Sequence, residues 1–174
     1  MTAAVFVDTN VLVYARDARD PTKQARAAAW LDLLWHDESG RISVQVLSEY
    51  YVTLTRRLEP RVAPTDAWDE VTELLAWRPQ PIDETVLRRG RDVEQRSRLS
   101  WWDSLIVAAA QTQSCALLLS EDLQDGAVYG GVTVRSPFTL SAEEPGAVYS
   151  AVPVASRHPA RGRPRAGRPR VSAS

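Results

Sequence analysis

The sequence predicts an α/β fold in which helices flank a short, mainly parallel central sheet. Short apolar runs of strand length alternate with longer segments whose apolar residues recur at helical spacing. The predicted strands are residues 3–7, 41–44, 115–119 and 132–134. Acidic residues follow two of these runs at the carboxyl end, which is where open α/β sheets bind ligands. A candidate site is therefore expected at that edge of the sheet.

The first predicted strand ends at Asp8, and residues 8–14 then turn helical or return to the core. A turn at 17–21 leads into an amphipathic helix that ends near Gly40, since Pro21 suits the first helical position. Asp8 has two interpretations here. It is either a ligand-binding acid at a strand end or only the cap of the next helix.

The helix predicted for residues 45–59 carries a glutamate at an informative position. At about 100° per residue, Glu49 lies roughly 60° outside Val46, at the edge of the apolar arc. A glutamate there is ordinarily a surface residue whose aliphatic stem covers apolar neighbours. Taken by itself, the position of Glu49 favours a structural role.

A second helix, at 65–77, is predicted to form a hairpin with the one before it. The tryptophans of this helical region are interpreted as core or dimer-contact residues. They are Trp30, Trp35, Trp68 and Trp77.

After a brief strand at 79–82, a helix opens at Asp83 or Glu84 and runs to about Ser97. Arginines that could hold phosphates cluster on and just after this helix. They are Arg88, Arg89, Arg91, Arg96 and Arg98. Because Asp92 and Glu94 interleave with them, an ordinary solvated face is the favoured interpretation.

The segment from Ser100 to Ala110 places one acid at the start of an otherwise apolar helix. Positions 105–110 carry no polar side chain, which is typical of a helix covered on all sides. Asp103 is therefore carried on a buried helix, and it reaches the site if that helix begins near the carboxyl edge of the sheet. The alternative is a capping box, in which Ser100 and Asp103 only stabilise the helix start.

Length and charge set the limits of the fold. The 174 residues suit one domain, 1–140, followed by a Pro-, Arg- and Gly-rich tail, 141–174, that is predicted to be disordered. Residues 151–174 hold six arginines and no acid, which leaves 15 basic and 22 acidic residues in the first 150 positions. Two interpretations of the tail stay open: electrostatic contact with nucleic acid, or a solvated extension without a role.

Composition also excludes several classes of protein. No run is long enough to span a bilayer and no signal peptide is evident, so a cytoplasmic protein is expected. Cys115, the single cysteine, is predicted to be a small buried residue. With only His36 and His158, a zinc site of the Cys/His type is not expected.

Acids from separate segments are expected to converge at the carboxyl edge. Asp8 and Asp122 each follow a parallel strand there, and Glu49 and Asp103 would join them. Carboxylates within a few ångströms of one another raise each other's pKa unless a cation neutralises them. Oxygen ligands without Cys or His select Mg²⁺ or Mn²⁺. Since two-metal nucleases use such ions, about 4 Å apart, phosphodiester hydrolysis is the leading chemistry.

Four short motifs follow one another in the chain. They are Asp8-Thr9-Asn10-Val11-Leu12, Glu49, Trp102-Asp103-Ser104-Leu105 with its alanine-rich continuation, and Leu119-Ser120-Glu121-Asp122. In this order and within this length, they resemble the spaced acidic motifs of PIN-domain ribonucleases, in particular the VapC toxins of bacterial type II toxin–antitoxin pairs. The resemblance covers roughly residues 3–140.

The resemblance implies a Rossmann-like, three-layer PIN fold, Mg²⁺- or Mn²⁺-dependent endoribonuclease activity on RNA, homodimers, and inhibition by a small cognate antitoxin. The catalytic, metal-binding acids would be Asp8, Glu49, Asp103 and Asp122. The polar neighbours that orient metal, water or carboxylate would be Thr9, Asn10 and Ser120. Asp125 is a second candidate for the fourth acid, and the number of metals, one or two, stays open. The basic tail has no counterpart in the family pattern.

Three other functions compete with this prediction. The segment Asp8-Thr9-Asn10 resembles the opening of aspartyl-phosphate phosphatases, but Asn10 stands where those enzymes have their second aspartate. A PIN-type nuclease that cuts DNA or processes RNA would use the same acids. A non-catalytic binding module would have acids that only cap helices or lie more than about 10 Å apart, well beyond two-metal spacing.

Overall fold

The computed structural model describes residues 3–142, which form six α-helices, five strands and one 3₁₀ turn (Leu75–Trp77). The helices are α1 (Thr9–Arg16), α2 (Pro21–His36), α3 (Val44–Arg56), α4 (Pro64–Leu74), α5 (Glu84–Ser97) and α6 (Trp101–Thr112). The strands are β1 (Val5–Val7), β2 (Gly40–Arg41), β3 (Leu117–Leu119), β4 (Val128–Tyr129) and β5 (Val132–Arg135).

The strands form one sheet in the order β2-β1-β3-β5-β4. β1 is parallel to both β2 and β3, and β3 is parallel to β5, whereas the edge strand β4 is antiparallel to β5. Because β1 and β3 are neighbours that run in the same direction, the residues that follow them meet at one edge. The predicted α/β fold with a mainly parallel sheet between helices is confirmed.

The strands β1 and β3 and the helix α6 lie at the centre of the core, to which α1, α2, α3 and α4 also contribute buried residues. All residues of β1 and β3 are buried, and α6 is buried from Ser104 to Ala110. This burial confirms the prediction from the apolar run in α6, and it fixes the start of that helix relative to the sheet. α6 packs along α5, α1 packs on α2, and α3 and α4 form the predicted hairpin.

The tryptophans divide into two groups. Trp30 and Trp77 are buried, so the core interpretation is confirmed for them. Trp35 and Trp68 are substantially exposed, so it is wrong for these two, and a dimer contact stays a prediction. Cys115 is buried as predicted, and burial raises the pKa of its thiol to about 12.

Several element boundaries differ from the predicted ones. α2 ends at His36 rather than near Gly40, and the predicted strand at 41–44 is reduced to Gly40–Arg41. The cause of the second difference is Ser43, whose hydroxyl accepts a hydrogen bond from the amide of Val46 and starts α3 earlier. The brief strand at 79–82 is only a bridge to Ser43, and β4, two residues at the sheet edge, was not predicted.

The last described residues pack against α2, where the indole Nε1 of Trp30 donates to the carbonyl of Leu140 over 2.9 Å. The predicted tail, 141–174, lies outside the described residues apart from Ser141 and Ala142. Among residues 3–142, none of the helices combines the length and apolarity that crossing a membrane requires.

Candidate active site

Asp8 lies at the carboxyl end of β1 and is the N-cap of α1. Its side chain is 8% exposed, and Oδ1 accepts a hydrogen bond from the amide of Thr9 over 2.7 Å. Oδ2 accepts from the Ser120 hydroxyl, over 2.7 Å, and from Nδ2 of Asn10, over 3.0 Å. Asp8 therefore caps α1, as one interpretation predicted, and its carboxylate lies at the predicted edge of the sheet. Its role in binding a ligand stays a prediction.

Burial raises the pKa of Asp8 to about 6. The hydrogen bonds from Ser120 and Thr9 oppose this rise, and the charges of Asp122 and Glu49 add to it. A carboxylate removed from water and facing two further acids is disfavoured in its charged form. Three of the four predicted acids are therefore close enough to interact electrostatically.

A network of polar side chains ties the ends of β1 and β3 together. Nδ2 of Asn10 donates to Oδ2 of Asp8 and to Oδ2 of Asp122, each over 3.0 Å. Its Oδ1 accepts from the amide of Glu121 over 3.2 Å. The Ser120 hydroxyl, which donates to Asp8, accepts from the amide of Asp122 over 3.2 Å. Asn10 and Ser120 thus hold two carboxylates side by side.

Glu49 joins this network from α3. Its Oε2 accepts from the Thr9 hydroxyl and its Oε1 accepts from Nε2 of Gln45, each over 3.0 Å. The same Gln45 amide group donates to the backbone carbonyl of Trp102 over 3.3 Å. Glu49 is exposed, as its position at the edge of the apolar arc predicted, but its carboxylate is held at the site.

Asp103 occupies a different place. Its Oδ2 accepts from the Ser100 hydroxyl over 2.7 Å, and its amide donates to the hydroxyl oxygen of Ser100 over 3.1 Å. Ser100 therefore caps α6 as predicted, but Asp103 contacts the hydroxyl of Ser100 and not its amide, as a full capping box would require. Its connection to the other acids runs through the neighbouring Trp102 carbonyl and Gln45. Among the described residues it makes no direct hydrogen bond to another acid, and its role as a metal ligand stays a prediction.

The alternatives for the fourth acid are separated by their partners. Asp125 pairs with Arg135 over 3.0 Å and accepts hydrogen bonds from Ser136 and Thr139. Burial opposes these contacts, but together they hold the pKa of Asp125 below its usual value. Asp122, by contrast, faces Asp8 across the Asn10 amide. The geometry favours Asp122, although its catalytic role stays a prediction.

A cavity of about 820 Å³ opens beside these acids. Polar residues of the network and large apolar residues both line it. The polar ones include Thr9, Asn10, Gln45, Glu49 and Asp122, and the apolar ones include Val44, Ile82 and Trp102. Sequence reasoning missed Gln45 and the exposed indole of Trp102. Helical spacing could have indicated Gln45, because it precedes Glu49 by one turn.

The donor set fits a hard divalent cation in its chemistry. It offers carboxylate oxygens without Cys or His, and the burial that raises the pKa of Asp8 disfavours an uncompensated negative charge there. Thr9 and Asn10 are hydrogen-bonded between the acids: Thr9 contacts Asp8 and Glu49, and Asn10 contacts Asp8 and Asp122. Within residues 3–142, no three Asp, Glu, His or Cys side chains lie close enough together to enclose an ion.

The fold and the site define an α/β protein with an acidic centre at the carboxyl edge of a parallel sheet. The sequence model of the PIN domain matches residues 5–124, about two thirds of the chain, and the chain belongs to the PIN-domain family. PIN domains are generally nucleases and typically use divalent metal ions. The match contains all four predicted acids and ends one residue before Asp125. Among curated proteins, no sequence matches the chain closely enough to show a relative.

Proposed function

We propose that this protein is a Mg²⁺- or Mn²⁺-dependent endoribonuclease and the toxin of a type II toxin–antitoxin pair. The observation that supports it most is the buried Asp8, whose carboxylate faces Glu49 and Asp122 at the carboxyl edge of the sheet. Membership of the PIN-domain family supports hydrolysis of phosphodiester bonds. The narrower toxin assignment depends on the resemblance of the four motifs to those of VapC proteins.

In this mechanism, Asp8 and Asp103 would hold the principal metal, and Glu49 and Asp122 would complete the site. When bound, the ion would supply Lewis acidity for phosphodiester hydrolysis. The polar neighbours fix the carboxylates in position: Ser120 and Asn10 restrain Oδ2 of Asp8, and the Thr9 hydroxyl restrains Oε2 of Glu49. With their lone pairs partly occupied by these donors, the acids keep a defined orientation toward the cavity.

The RNA backbone would be attracted by a second surface, since the acidic centre repels phosphates. A groove of about 500 Å³ runs along α5 and is lined by three arginines, Arg88, Arg89 and Arg96, and one acid, Asp92. Arg89 and Arg96 have no ion-pair partner within residues 3–142, whereas Arg91 is paired with Glu94 outside the groove. These arginines are suited to phosphate contacts.

The position of the groove supports this role. Residues 98–100 alone separate the end of α5 from the start of α6, which carries Asp103. An RNA strand that follows the arginines toward Ser97 would therefore approach the start of α6. The interpretation of α5 as an ordinary solvated face fits Arg91 and Glu94, which pair with each other. It does not explain why Arg89 and Arg96 lie together in a groove without an acidic partner among the described residues.

The partners follow from the family resemblance. They are an RNA substrate, a second copy of the chain, and a small antitoxin whose C-terminal segment covers the acidic site, all in the cytoplasm. The exposed Trp35 and Trp68 are available for subunit contacts. The tail at 141–174 is assigned no role.

The proposal is tested by cleavage of RNA with and without Mn²⁺ or Mg²⁺. Replacing Asp8 or Asp103 by Asn should lower cleavage by at least about 100-fold, because even residues that only support a metal ligand contribute about 10- to 100-fold. Circular dichroism should show an unchanged fold. Cleavage retained in both variants would refute the mechanism.

Two further measurements separate the competing functions. Growth arrest on expression that disappears in Asp8→Asn identifies a toxin, and its absence favours an RNA-processing nuclease. Preference for DNA of the same sequence would favour the DNA nuclease, and no cleavage of either polymer would favour the binding module.

A further inference from the structure

The cavity beside the acids has an exposed apolar part. Val44, Ile82 and Trp102 all line it, with 44%, 41% and 62% of their surfaces exposed. Exposed apolar patches next to polar groups mark binding surfaces more often than isolated apolar residues do. The three side chains come from α3, from the segment before α5, and from α6, so the fold brings them together only at this place.

Trp102 differs in its surroundings from the two other exposed tryptophans, Trp35 and Trp68. The ring of Trp35 packs on Trp77, and that of Trp68 lies edge-on to Tyr51. Within residues 3–142, the indole of Trp102 contacts no aromatic ring and donates no hydrogen bond. Its large flat surface is available to a ligand.

The backbone of Trp102 is nevertheless fixed close to the acids. Its carbonyl accepts from the Gln45 amide, which also donates to Oε1 of Glu49 over 3.0 Å. The next residue is Asp103, and both lie in the first turn of a helix whose following residues are buried. The indole of Trp102 is therefore attached to a fixed helical backbone and not to a mobile loop.

The combination of acids and an exposed indole matches one class of ligand. A nucleotide carries a phosphodiester group that the metal-bound acids would take, and it carries a flat apolar base beside that group. In a duplex, the bases stack on each other and are not available, whereas in a single strand they stack on aromatic side chains. An exposed indole in such a cavity could stack on an unpaired base and not on a paired one.

We propose that Trp102, supported by Val44 and Ile82, stacks on one unpaired base beside the cleaved bond, and so restricts the enzyme to single-stranded RNA. This inference rests on the proposed ribonuclease function and adds to it a residue that binds the base. Trp102 supplies binding rather than chemistry, so its loss should raise KM and leave kcat nearly unchanged.

The test compares the full chain with Trp102→Ala, Trp102→Phe and, as a matched control, Trp68→Ala, another tryptophan that is 59% exposed but lies outside the cavity. The probe is a short fluorescent single-stranded RNA, titrated in chelator and cleaved in Mn²⁺. Trp102→Ala should weaken binding about 5- to 100-fold, the range expected for loss of a stacking aromatic residue. Trp102→Phe should keep most of the affinity, and Trp68→Ala all of it.

A second set of RNAs, each lacking one base next to the cleaved bond, identifies the contact. One RNA of the set lacks the base that stacks on Trp102. The wild type and Trp102→Ala should bind this RNA with equal affinity. An equal loss on every RNA would overturn the proposal. So would a change in the mass of Trp102→Ala in solution, which would place the indole in a subunit interface. If the wild type cleaves no nucleic acid, the ribonuclease function fails, whereas the binding comparison still decides the role of Trp102.

Discussion

The cavity at the carboxyl edge and the groove along α5 differ in charge and, even more, in how their charged groups are held. Beside the cavity, the carboxylate of Asp8 is buried and accepts three hydrogen bonds. In the groove, Arg88 pairs only with Glu84, one turn away, and both side chains are more than three quarters exposed. Arg89 and Arg96 have no such partner among residues 3–142. The hydrogen bonds hold the Asp8 carboxylate in one orientation, whereas the arginines of the groove carry positive charge on side chains that are free to move.

This difference suggests separate roles for the two regions, one in the cleavage reaction and the other in attracting RNA. An exposed pair spaced by one helical turn contributes about 0.3–0.5 kcal/mol, so a phosphate can replace Glu84 at Arg88 with little loss. A carboxylate buried among other acids is much harder to rearrange, since every change of partner involves desolvated charge. The cavity is therefore expected to determine the rate of cleavage and the groove to determine the affinity for the polymer.

The largest effect should come from exchanging acids within the cavity. Asp122→Asn should lower kcat about 100-fold, because Asp122 faces Asp8 across the Asn10 amide. Asp125→Asn serves as the matched control. It removes the partly exposed ion pair with Arg135 and should lower the free energy of unfolding by no more than about 1 kcal/mol while kcat stays nearly constant. Kinetics and urea unfolding of both variants measure this, and the opposite pattern would make Asp125 the fourth acid.

The next effect concerns the pH dependence of stability without metal. The pKa of Asp8 is about 6 in the folded protein against 3.8 in its usual state, so the folded chain binds the proton more tightly. The resulting stabilisation is complete below pH 3.8 and is lost as the pH rises to about 6. It amounts to about 3 kcal/mol at most, at about 1.4 kcal/mol per pKa unit.

Urea unfolding in chelator, from pH 4 to pH 7, measures this loss. The free energy of unfolding of Asp8→Asn is subtracted from that of the wild type at each pH, so that the contributions of the other acids largely cancel. Adding Mn²⁺ at pH 7 should restore stability to the wild type and not to the variant. A wild type whose stability does not respond to Mn²⁺ would contradict the metal site. Arg89→Ala should respond to Mn²⁺ as the wild type does.

The smallest effect is expected in the groove. The double variant Arg89→Ala/Arg96→Ala should reduce the slope of log K against log salt by about 1.4, since each phosphate contact of a single strand contributes about 0.7. kcat at saturating RNA should not change. Arg91→Ala removes one positive charge of α5 that lies outside the groove, and it should change the slope little. Equal slopes for both variants would make the groove an ordinary solvated face.

Much of the site could be predicted because it depends on the direction of strands. Asp8 and Asp122 follow neighbouring parallel strands, and that pairing alone brings them to one edge. The edge position of Glu49 and the cap at Asp103 follow from helical spacing. None of these inferences requires knowledge of distant side chains.

The parts that could not be predicted depend on contacts between distant segments. Asp122 and Asp125 both follow β3, and only the pairing of β3 with β5 brings Arg135 within reach of Asp125. The link from Gln45 to the Trp102 carbonyl joins residues 57 positions apart. The two-residue strand β4 is too short to show a periodic pattern, and it is defined by its partner β5.

The side-chain amide of Asn10 has a consequence for how the acidic centre would bind a cation. Its Nδ2 donates to both Asp8 and Asp122, so it already does part of what an ion does, keeping two negative groups together at close range. A cation that binds here would have to compete with the Asn10 amide group for Oδ2 of Asp8 and Oδ2 of Asp122. Because one amide group donates to both carboxylates, Asn10 is expected to stabilise the chain that holds no ion and to compete with a cation for these oxygens.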